Sequence, residues 1–297
     1  MSRVLLFGPD GQIGWRLAQL LRSSHDLVCP SHAEADLSDP SALREVIRNV
    51  KPDVIVNAAA YTAVDRAEQE PLVARAVNAI APGVMAEEAA KLGSLLVHFS
   101  TDYVFDGRKI GSYGEEDSAA PINMYGRSKL EGELLIRAAG GHHLILRTSW
   151  IYDSRGHNFL LTMFRLARER EELQIVNDQT GTPNWAQGIA ETVVGLVSRV
   201  CAAEDRAELK GTYHVTAKGE ATWYEFARTI FAHPHVARMS KVPRLVPITT
   251  AEYPTPARRP ANSVLGTEKL QKNFGVLNRS WREGLDRCLQ NLSGMPY

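Results

Sequence analysis

The chain has 297 residues, 44% hydrophobic and 23% charged, and its 34 basic residues balance its 34 acidic ones. That length suits one large domain or two modest ones, and zero net charge leaves no general field to attract nucleic acid or an anionic membrane. Any anionic ligand must therefore be held by local groups, and neither a nucleic-acid nor a membrane partner is expected.

The first eight residues form too short an apolar run for a signal peptide. No stretch approaches the ~18–20 apolar residues of a spanning helix. Cys29, Cys201 and Cys288 are scattered and lack metal-like spacing. The expectation is a cytoplasmic protein with reduced, buried thiols.

Residues 4–7 read as a buried strand. The glycine turn Gly8-Pro9-Asp10-Gly11-Gln12-Ile13-Gly14 follows, then a helix over about 12–22. Residues 27–29 form a second strand. A helix over about 41–49 starts near Ser38 or Asp39, with Pro40 in its first turn. Strands at 53–57, 95–99 and 144–148 alternate with an alanine-rich helix over about 73–92 and a helix carrying Tyr125 and Lys129. Near-continuous apolar strands between helices indicate parallel strands covered on both faces. The fold class is α/β, a Rossmann-type doubly wound parallel sheet.

The second half loses that rhythm. Helices are expected at about 158–170, 185–199 and 223–231, and strands at 173–176 and 211–215. Prolines make residues 243–260 an ordered loop or a linker. Residues 1–150 read as an NAD(P)-binding domain. Residues 151–297 read as a mainly substrate-binding, smaller α/β domain that returns some elements to the sheet.

Gly8, Gly11 and Gly14 follow a strand and open a helix. They permit a tight turn whose N–H groups approach a pyrophosphate, although such glycines also serve structure alone. Pro30-Ser31-His32 ends the second strand without a carboxylate, which favours NADP over NAD, but no arginine is present to clamp a 2′-phosphate. Asp36 and Leu37 either contact the adenine or form a helix-capping loop. Ala58, Ala59 and Ala60 either let a dinucleotide lie close or pack the sheet. Thr101, at a strand end, either caps the chain or donates a hydrogen bond to a carbonyl. Trp150 and Tyr152 either stack on a ligand or pack. Tyr125 and Lys129, four apart, share one helix face. A nearby ammonium favours the phenolate, so Tyr125 is expected to exchange a proton near neutral pH. His142-His143 and His233-Pro234-His235 lack acidic or cysteine neighbours and read as loop histidines, so no catalytic metal is expected.

Together, Gly8-x-x-Gly11-x-x-Gly14, Asn57-Ala58-Ala59-Ala60-Tyr61-Thr62-Ala63-Val64-Asp65, Ser100-Thr101-Asp102-Tyr103-Val104-Phe105, Tyr125-x-x-x-Lys129 and Arg147-Thr148-Ser149-Trp150 resemble the extended short-chain dehydrogenase/reductases. Asn177-Asp178-Gln179-x-Gly181, Thr222-Trp223-Tyr224 and Tyr253-Pro254-Thr255-Pro256-Ala257-Arg258-Arg259-Pro260 narrow the resemblance to the dTDP-4-dehydrorhamnose reductase family. The resemblance implies reduction of the C4 keto group of dTDP-4-dehydro-L-rhamnose by NADPH, with NADH possible.

It also implies a catalytic set of Thr101, Tyr125 and Lys129. Cofactor contacts would fall on Gly8, Gly11, Gln12, Ile13, Gly14, Asp36, Leu37, Ala60, Tyr61, Thr62, Phe99 and Lys129. Substrate contacts would fall on Thr62, Val64, Thr101, Asp102, Tyr103 and Trp150. Some members form a dimer bridged by magnesium through glutamates on three helices. The matching positions hold Arg16, Gln187 and Asn291, which cannot make a cation site, so a monomer or weak homodimer is expected. Two alternatives share the fold: a nucleotide-sugar epimerase or dehydratase that retains NAD, and a non-catalytic NADP-binding regulatory subunit.

Overall fold

The computed structural model describes residues 2–203, 207–237 and 242–292. Strands β1 (Arg3–Phe7), β2 (Asp26–Val28), β3 (Val54–Asn57), β4 (Leu95–Thr101) and β5 (His143–Thr148) alternate with helices α1 (Gln12–Leu21), α2 (Pro40–Val50), α3 (Val64–Ala67), α4 (Pro71–Arg75), α5 (Ala81–Leu92) and α6 (Met124–Ala138). There follow β6 (Ile151–Tyr152), α7 (Phe159–Glu169), β7 (Glu172–Val176), β8 (Thr180–Gly181), β9 (Asn184–Trp185), α8 (Ala186–Ala202), β10 (Gly211–His214), β11 (Ala221–Thr222), α9 (Trp223–Ala232), α10 (Pro234–Ala237), β12 (Arg244–Ile248), α11 (Glu268–Phe274) and α12 (Trp281–Leu292).

Six strands form one parallel sheet in the order β10-β5-β4-β3-β1-β2. The winding reverses between β1 and β3, and at such a point the strand ends diverge to leave a ligand crevice. Strands β3, β4 and β5 are buried throughout because helices cover both faces. Val4, Leu6, Val97 and Leu146 pack with α1 and α8 on one face, while Leu5, Ile55, Leu96 and Ile145 pack with α2 and α5 on the other. A separate core of Tyr152, Trp185, Phe226, Trp281 and Leu285 organises the C-terminal lobe.

Local chemistry explains where elements begin and break. Asp39, rather than Ser38, caps α2, accepting from Ser41 N at 2.8 Å and Ala42 N at 3.2 Å, with Pro40 at its first position. The helix expected over 73–92 is instead three pieces, with a π turn at Ala76–Ile80 between α4 and α5. Pro82 has no N–H to return to the Asn78 carbonyl. Gly132 of α6 packs against that carbonyl so closely that a Cβ would lie 2.2 Å away.

Residues 244–248 are strand, not loop: β12 pairs with β7 alone, and an edge strand tolerates Pro247 because one side needs no donor. None of the three cysteines forms a disulfide, but only Cys288 is buried, while Cys29 and Cys201 are half-buried. The histidines also differ from expectation. His143 opens β5, and His233 has an acidic partner, with Asp286 Oδ1 at 2.9 Å from its Nε2. Among the described residues no helix is long and apolar enough to cross a membrane.

Candidate active site

The glycine turn sits at the end of β1. Gly8 has φ +77°, and a Cβ there would lie 2.7 Å from Ala59 N. A Cβ on Gly14 would lie 1.9 Å from the Gly8 carbonyl oxygen. Both glycines are therefore demanded by the turn itself. Gly11 is not: its nearest neighbour would be 3.5 Å away, and it serves as the N-cap of α1. No side chain caps α1, so its first N–H groups remain free for a pyrophosphate. Gly14→Ala is expected to cost about 1–3 kcal/mol by overpacking and to weaken dinucleotide binding; a thermal melt and a binding titration check both.

A cleft of about 470 Å³ runs from this turn past Ser31, His32, Asp36, Leu37, Ala60 and Tyr61. Glu34 does not enter it as a free carboxylate; it accepts from Ser31 N at 2.8 Å and Ser31 Oγ at 2.7 Å. The Asp36 carboxylate accepts from Ser38 N and Oγ, both at 2.8 Å, and closes the loop before α2. The Asp36 side chain thus closes a turn, Asp39 rather than Asp36 caps the helix, and the segment lines the cleft. Asn78 grips Tyr61 through both backbone groups, at 2.9 and 3.0 Å. The Gln12 side chain is taken up by Asn158 at 2.9 Å. Ile13 packs partly into the core. Thr62 is exposed and lines neither this cleft nor the next.

At the end of β4, Thr101 meets Tyr125 of α6, and Lys129 follows one turn along the same helix. Asn123 caps α6, accepting from Gly126 N at 2.8 Å. A Cβ on Gly126 would lie 2.1 Å from the Tyr103 carbonyl oxygen, so glycine lets the first turn of α6 seat against the Thr101–Tyr103 corner. The Thr101 hydroxyl lies close enough to the Tyr125 phenol to favour its ionised form. Thr101 Oγ1 also donates to Asp102 Oδ1 at 2.9 Å and accepts from Tyr103 N at 3.2 Å. The Tyr103 ring meets Tyr125 edge-on at 5.9 Å.

Protonation states differ from the sequence expectation. The Tyr125 phenol is pushed up to about 12, chiefly by desolvation, and only the Thr101 hydroxyl opposes this. The expected help from Lys129 is missing because its amine turns the other way, donating to the Phe99 carbonyl at 2.6 Å beside His98. Burial brings Lys129 itself down to about 7. Asp102, buried with Oδ2 unpartnered, is pushed up to about 6 by desolvation.

A second cleft, about 540 Å³, opens beside this corner between the two lobes. Val64, Asp65 and Tyr103 line it from one side, and Phe159, Gln179, Trp223, Tyr253 and Arg259 from the other. Trp150 has φ +43°, unusual for a bulky side chain. Its ring lies against Gly181, where a Cβ would be 2.5 Å away, and stacks on Trp223 at 3.4 Å and 4°. Trp150 therefore lies behind Trp223.

The proline-rich segment completes the wall. Arg259 Nη2 donates to Asp65 Oδ2 at 2.8 Å, Ala257 N to Asp65 Oδ1 at 3.1 Å, and Asn123 Nδ2 to the Arg258 carbonyl at 2.8 Å. In sequence, Trp223 and Arg259 belong to motifs with no cleft assigned to them, and His98 is one residue of the 95–99 strand; the structure brings the first two to the cleft wall and the third against Lys129.

Arg16 forms a two-pronged ion pair with the buried Asp153, at 2.7 and 2.6 Å. Gln187 donates to Glu191 at 3.0 Å. A guanidinium locked this way does not fit a magnesium site.

Residues 2–293 match the family model described as the RmlD substrate binding domain. The dTDP-4-dehydrorhamnose reductase of Burkholderia thailandensis is 46% identical over 295 residues, covering 98% of this chain and 99% of that protein. The Escherichia coli (strain K12) dTDP-4-dehydrorhamnose reductase is 42% identical, with 97% of each chain covered. The crystal structure of dTDP-4-dehydrorhamnose reductase from Bacillus anthracis in complex with NADP superposes with a TM-score of 0.89 at 36% identity, covering 98% of this chain and 99% of that one.

Proposed function

The chain belongs to the dTDP-4-dehydrorhamnose reductase family, that of the RmlD substrate binding domain, and on that premise we infer an NADPH-dependent oxidoreductase. It reduces the C4 keto group of dTDP-4-dehydro-L-rhamnose to give dTDP-L-rhamnose. The observation that carries this reading is the placing of Thr101 beside Tyr125 next to the inter-lobe cleft, with Lys129 one turn further along α6.

Gly8, Gly11, Gln12, Ile13 and Gly14 would hold the dinucleotide pyrophosphate, Asp36, Leu37, Ala60, Tyr61 and Thr62 its adenosine side, and Phe99 and Lys129 its nicotinamide ribose. When bound, the cofactor supplies the hydride. Thr101 would turn its hydroxyl proton from Asp102 to the C4 oxygen of the sugar as negative charge gathers there. Tyr125, protonated at neutral pH, gives its proton to that oxygen, whose alkoxide form is far more basic than a phenolate. With cofactor bound, Lys129 would turn its amine from the Phe99 carbonyl toward Tyr125 and, once protonated, answer the charge then left there. Val64 and Tyr103, which line the inter-lobe cleft, would position the sugar nucleotide, with Asp102 behind Thr101 and Trp150 backing Trp223. In this reading residues 1–150 bind nucleotide, residues 151–297 mainly bind substrate, and the enzyme works in the cytoplasm.

The test is to mix purified protein with NADPH and dTDP-4-dehydro-L-rhamnose. One NADPH is consumed per sugar, and the protein as isolated carries no tightly held nicotinamide. Retained NAD with no net consumption of NADPH would instead identify an epimerase or dehydratase. NADP binding without turnover would identify a regulatory subunit.

The ion pair of Arg16 with Asp153 supports a protein free of a magnesium-bridged dimer. Light scattering is expected to give the same mass with and without a chelator, and a dimer that a chelator splits would refute this.

A further inference from the structure

Behind Lys129 lies a line of buried hydrogen bonds with no part in the mechanism above. Asn57, at the end of β3, and His98, in the middle of β4, are both fully buried, and Lys129 is 1% exposed. Ala59 N donates to Asn57 Oδ1 at 3.2 Å. Asn57 Nδ2 is 3.1 Å from His98 Nδ1, His98 Nε2 is 3.2 Å from Lys129 Nζ, and Lys129 Nζ is 2.6 Å from the Phe99 carbonyl oxygen.

The direction of this line can be worked out. The Ala59 N–H is a donor that cannot turn, so it assigns the oxygen of the Asn57 amide to itself and the NH₂ to His98. His98 Nδ1 must then be an acceptor. A neutral imidazole that accepts on Nδ1 carries its proton on Nε2, the nitrogen facing Lys129. An ammonium there would meet an N–H instead of a lone pair, and only the Phe99 carbonyl would remain to receive its three donors. An uncharged amine fits better, since its lone pair accepts from Nε2–H while one N–H donates to Phe99.

We propose that Asn57 and His98 are positioning residues that hold the Lys129 amine as a hydrogen-bond acceptor and so set the pH at which it gains its charge. The pair acts on the reaction only through Lys129, and for its catalytic meaning it rests on the role given to Lys129 above. The other charged and titratable groups around the amine are few. Tyr125 and Glu133 lie on its own helix, one turn to either side. Arg147 from β5 neutralises Glu133 through two hydrogen bonds, at 2.8 and 2.7 Å. Asp102 lies past the end of β4, against Thr101 and Tyr125. From β4 itself, only His98 touches Lys129 Nζ through a side chain. The low proton affinities of both His98 and Lys129, each pressed down by burial, agree with this geometry.

Two substitutions reverse the line without removing a side chain. Asn57→Asp keeps the acceptor for Ala59 N but puts an oxygen against Nδ1, so His98 must carry its proton there and present a lone pair to Lys129. His98→Gln places an amide oxygen near the Nε2 position and adds no charge. The readout is the lysine ¹³Cε NMR titration of the protein without nucleotide, with a thermal melt confirming that each variant is folded.

In the wild type one lysine is expected to titrate near pH 7, well below the ordinary lysine range near 10.4. In each folded variant it is expected to move up by about one pH unit or more. The descending limb of kcat/KM against pH is expected to follow, because charge on Lys129 then persists to higher pH. A folded His98→Gln protein whose low-titrating lysine stays in place overturns the proposal. If that variant does not fold, an unmoved lysine in Asn57→Asp does the same. A wild type in which every lysine titrates in the ordinary range also overturns it. The titration needs no turnover, so it decides the pair separately from the reductase reading: a shifted lysine with an unshifted rate profile would fault the role of Lys129 and leave the pair standing.

Discussion

Tyr125→Phe is expected to lower kcat for 4-keto sugar reduction by roughly 10²–10⁴-fold, the usual contribution of a positioned general acid. NADPH affinity and melting temperature are expected to change little. The phenol lies against Thr101, and its ring contact with Tyr103 survives the substitution. Removing the hydroxyl therefore takes away the proton donor and leaves the corner packed. Thr101→Val is expected to fall less steeply, because it removes an orienting hydrogen bond rather than the acid, and because Asp102 loses one of its donors as well. Steady-state kinetics on both variants, with nucleotide affinity measured in parallel, separate these contributions. Undiminished kcat in Tyr125→Phe would remove this residue from the chemistry.

The second large effect is on stability and lies beneath the site. Glu133 is fully buried, one turn along α6 from Lys129. It receives Arg147 Nε at 2.8 Å, Arg147 Nη2 at 2.7 Å, Ser100 Oγ at 2.6 Å and Arg137 Nη2 at 3.3 Å. Arg147 is the main influence holding the carboxylate below its ordinary range against the desolvation that pushes it up. Arg147→Met leaves a buried carboxylate short of its partner and is expected to destabilise the fold by about 3–5 kcal/mol. Adding Glu133→Leu is expected to recover much of that loss, since an apolar pair of similar volume removes the uncompensated charge.

The dependence on pH supplies a second check. In the wild type the depressed carboxylate contributes stability that is present above its unfolded value, and that contribution is lost as pH falls through the lower folded one. In Arg147→Met the folded value rises above the unfolded one, so this group favours folding more as pH falls. The gap between wild type and variant is therefore expected to be wider at pH 8 than at pH 5. Chemical denaturation at both pH values measures it, and a gap independent of pH would place the effect elsewhere.

The alternating strands and helices of the first half could be read from sequence because their chemistry is local. Four apolar residues in a row behind a glycine turn, or Asp39 ahead of Pro40, specify a buried strand or a helix start with no help from distant parts of the chain. Residues whose structure depends on a partner far along the chain could not be read this way. At the π turn of Ala76–Ile80 the missing N–H of Pro82 is local, but the close seat of Gly132 on the Asn78 carbonyl, more than fifty residues later, is not. Strand β12 forms at Pro247 because β7 offers it an edge.

The same division holds at the candidate site. The spacing of Tyr125 and Lys129 put both on one helix face, and the structure places them on α6 as that spacing requires. Where the amine points is another matter. Spacing suggested an ammonium beside the phenol. His98 and the Phe99 carbonyl, on a strand about thirty residues earlier, turn it inward. Desolvation then raises Tyr125 and lowers Lys129, the reverse of what two neighbours in water would show. The stack of Trp150 on Trp223 and the hold of Asp65 on Arg259 were likewise invisible, because each joins residues many positions apart whose motifs were read separately.

The most direct test of the central claim follows the hydride itself. NADPH deuterated on the transferring face of nicotinamide C4 is incubated with the protein and dTDP-4-dehydro-L-rhamnose, and the product is read by mass spectrometry and proton NMR. The reductase assignment predicts dTDP-L-rhamnose with one deuterium on C4 of the sugar, and none when Tyr125→Phe is used for the same short time. Turnover that leaves C4 without deuterium, or deuterated cofactor left unconsumed beside the keto sugar, would contradict it.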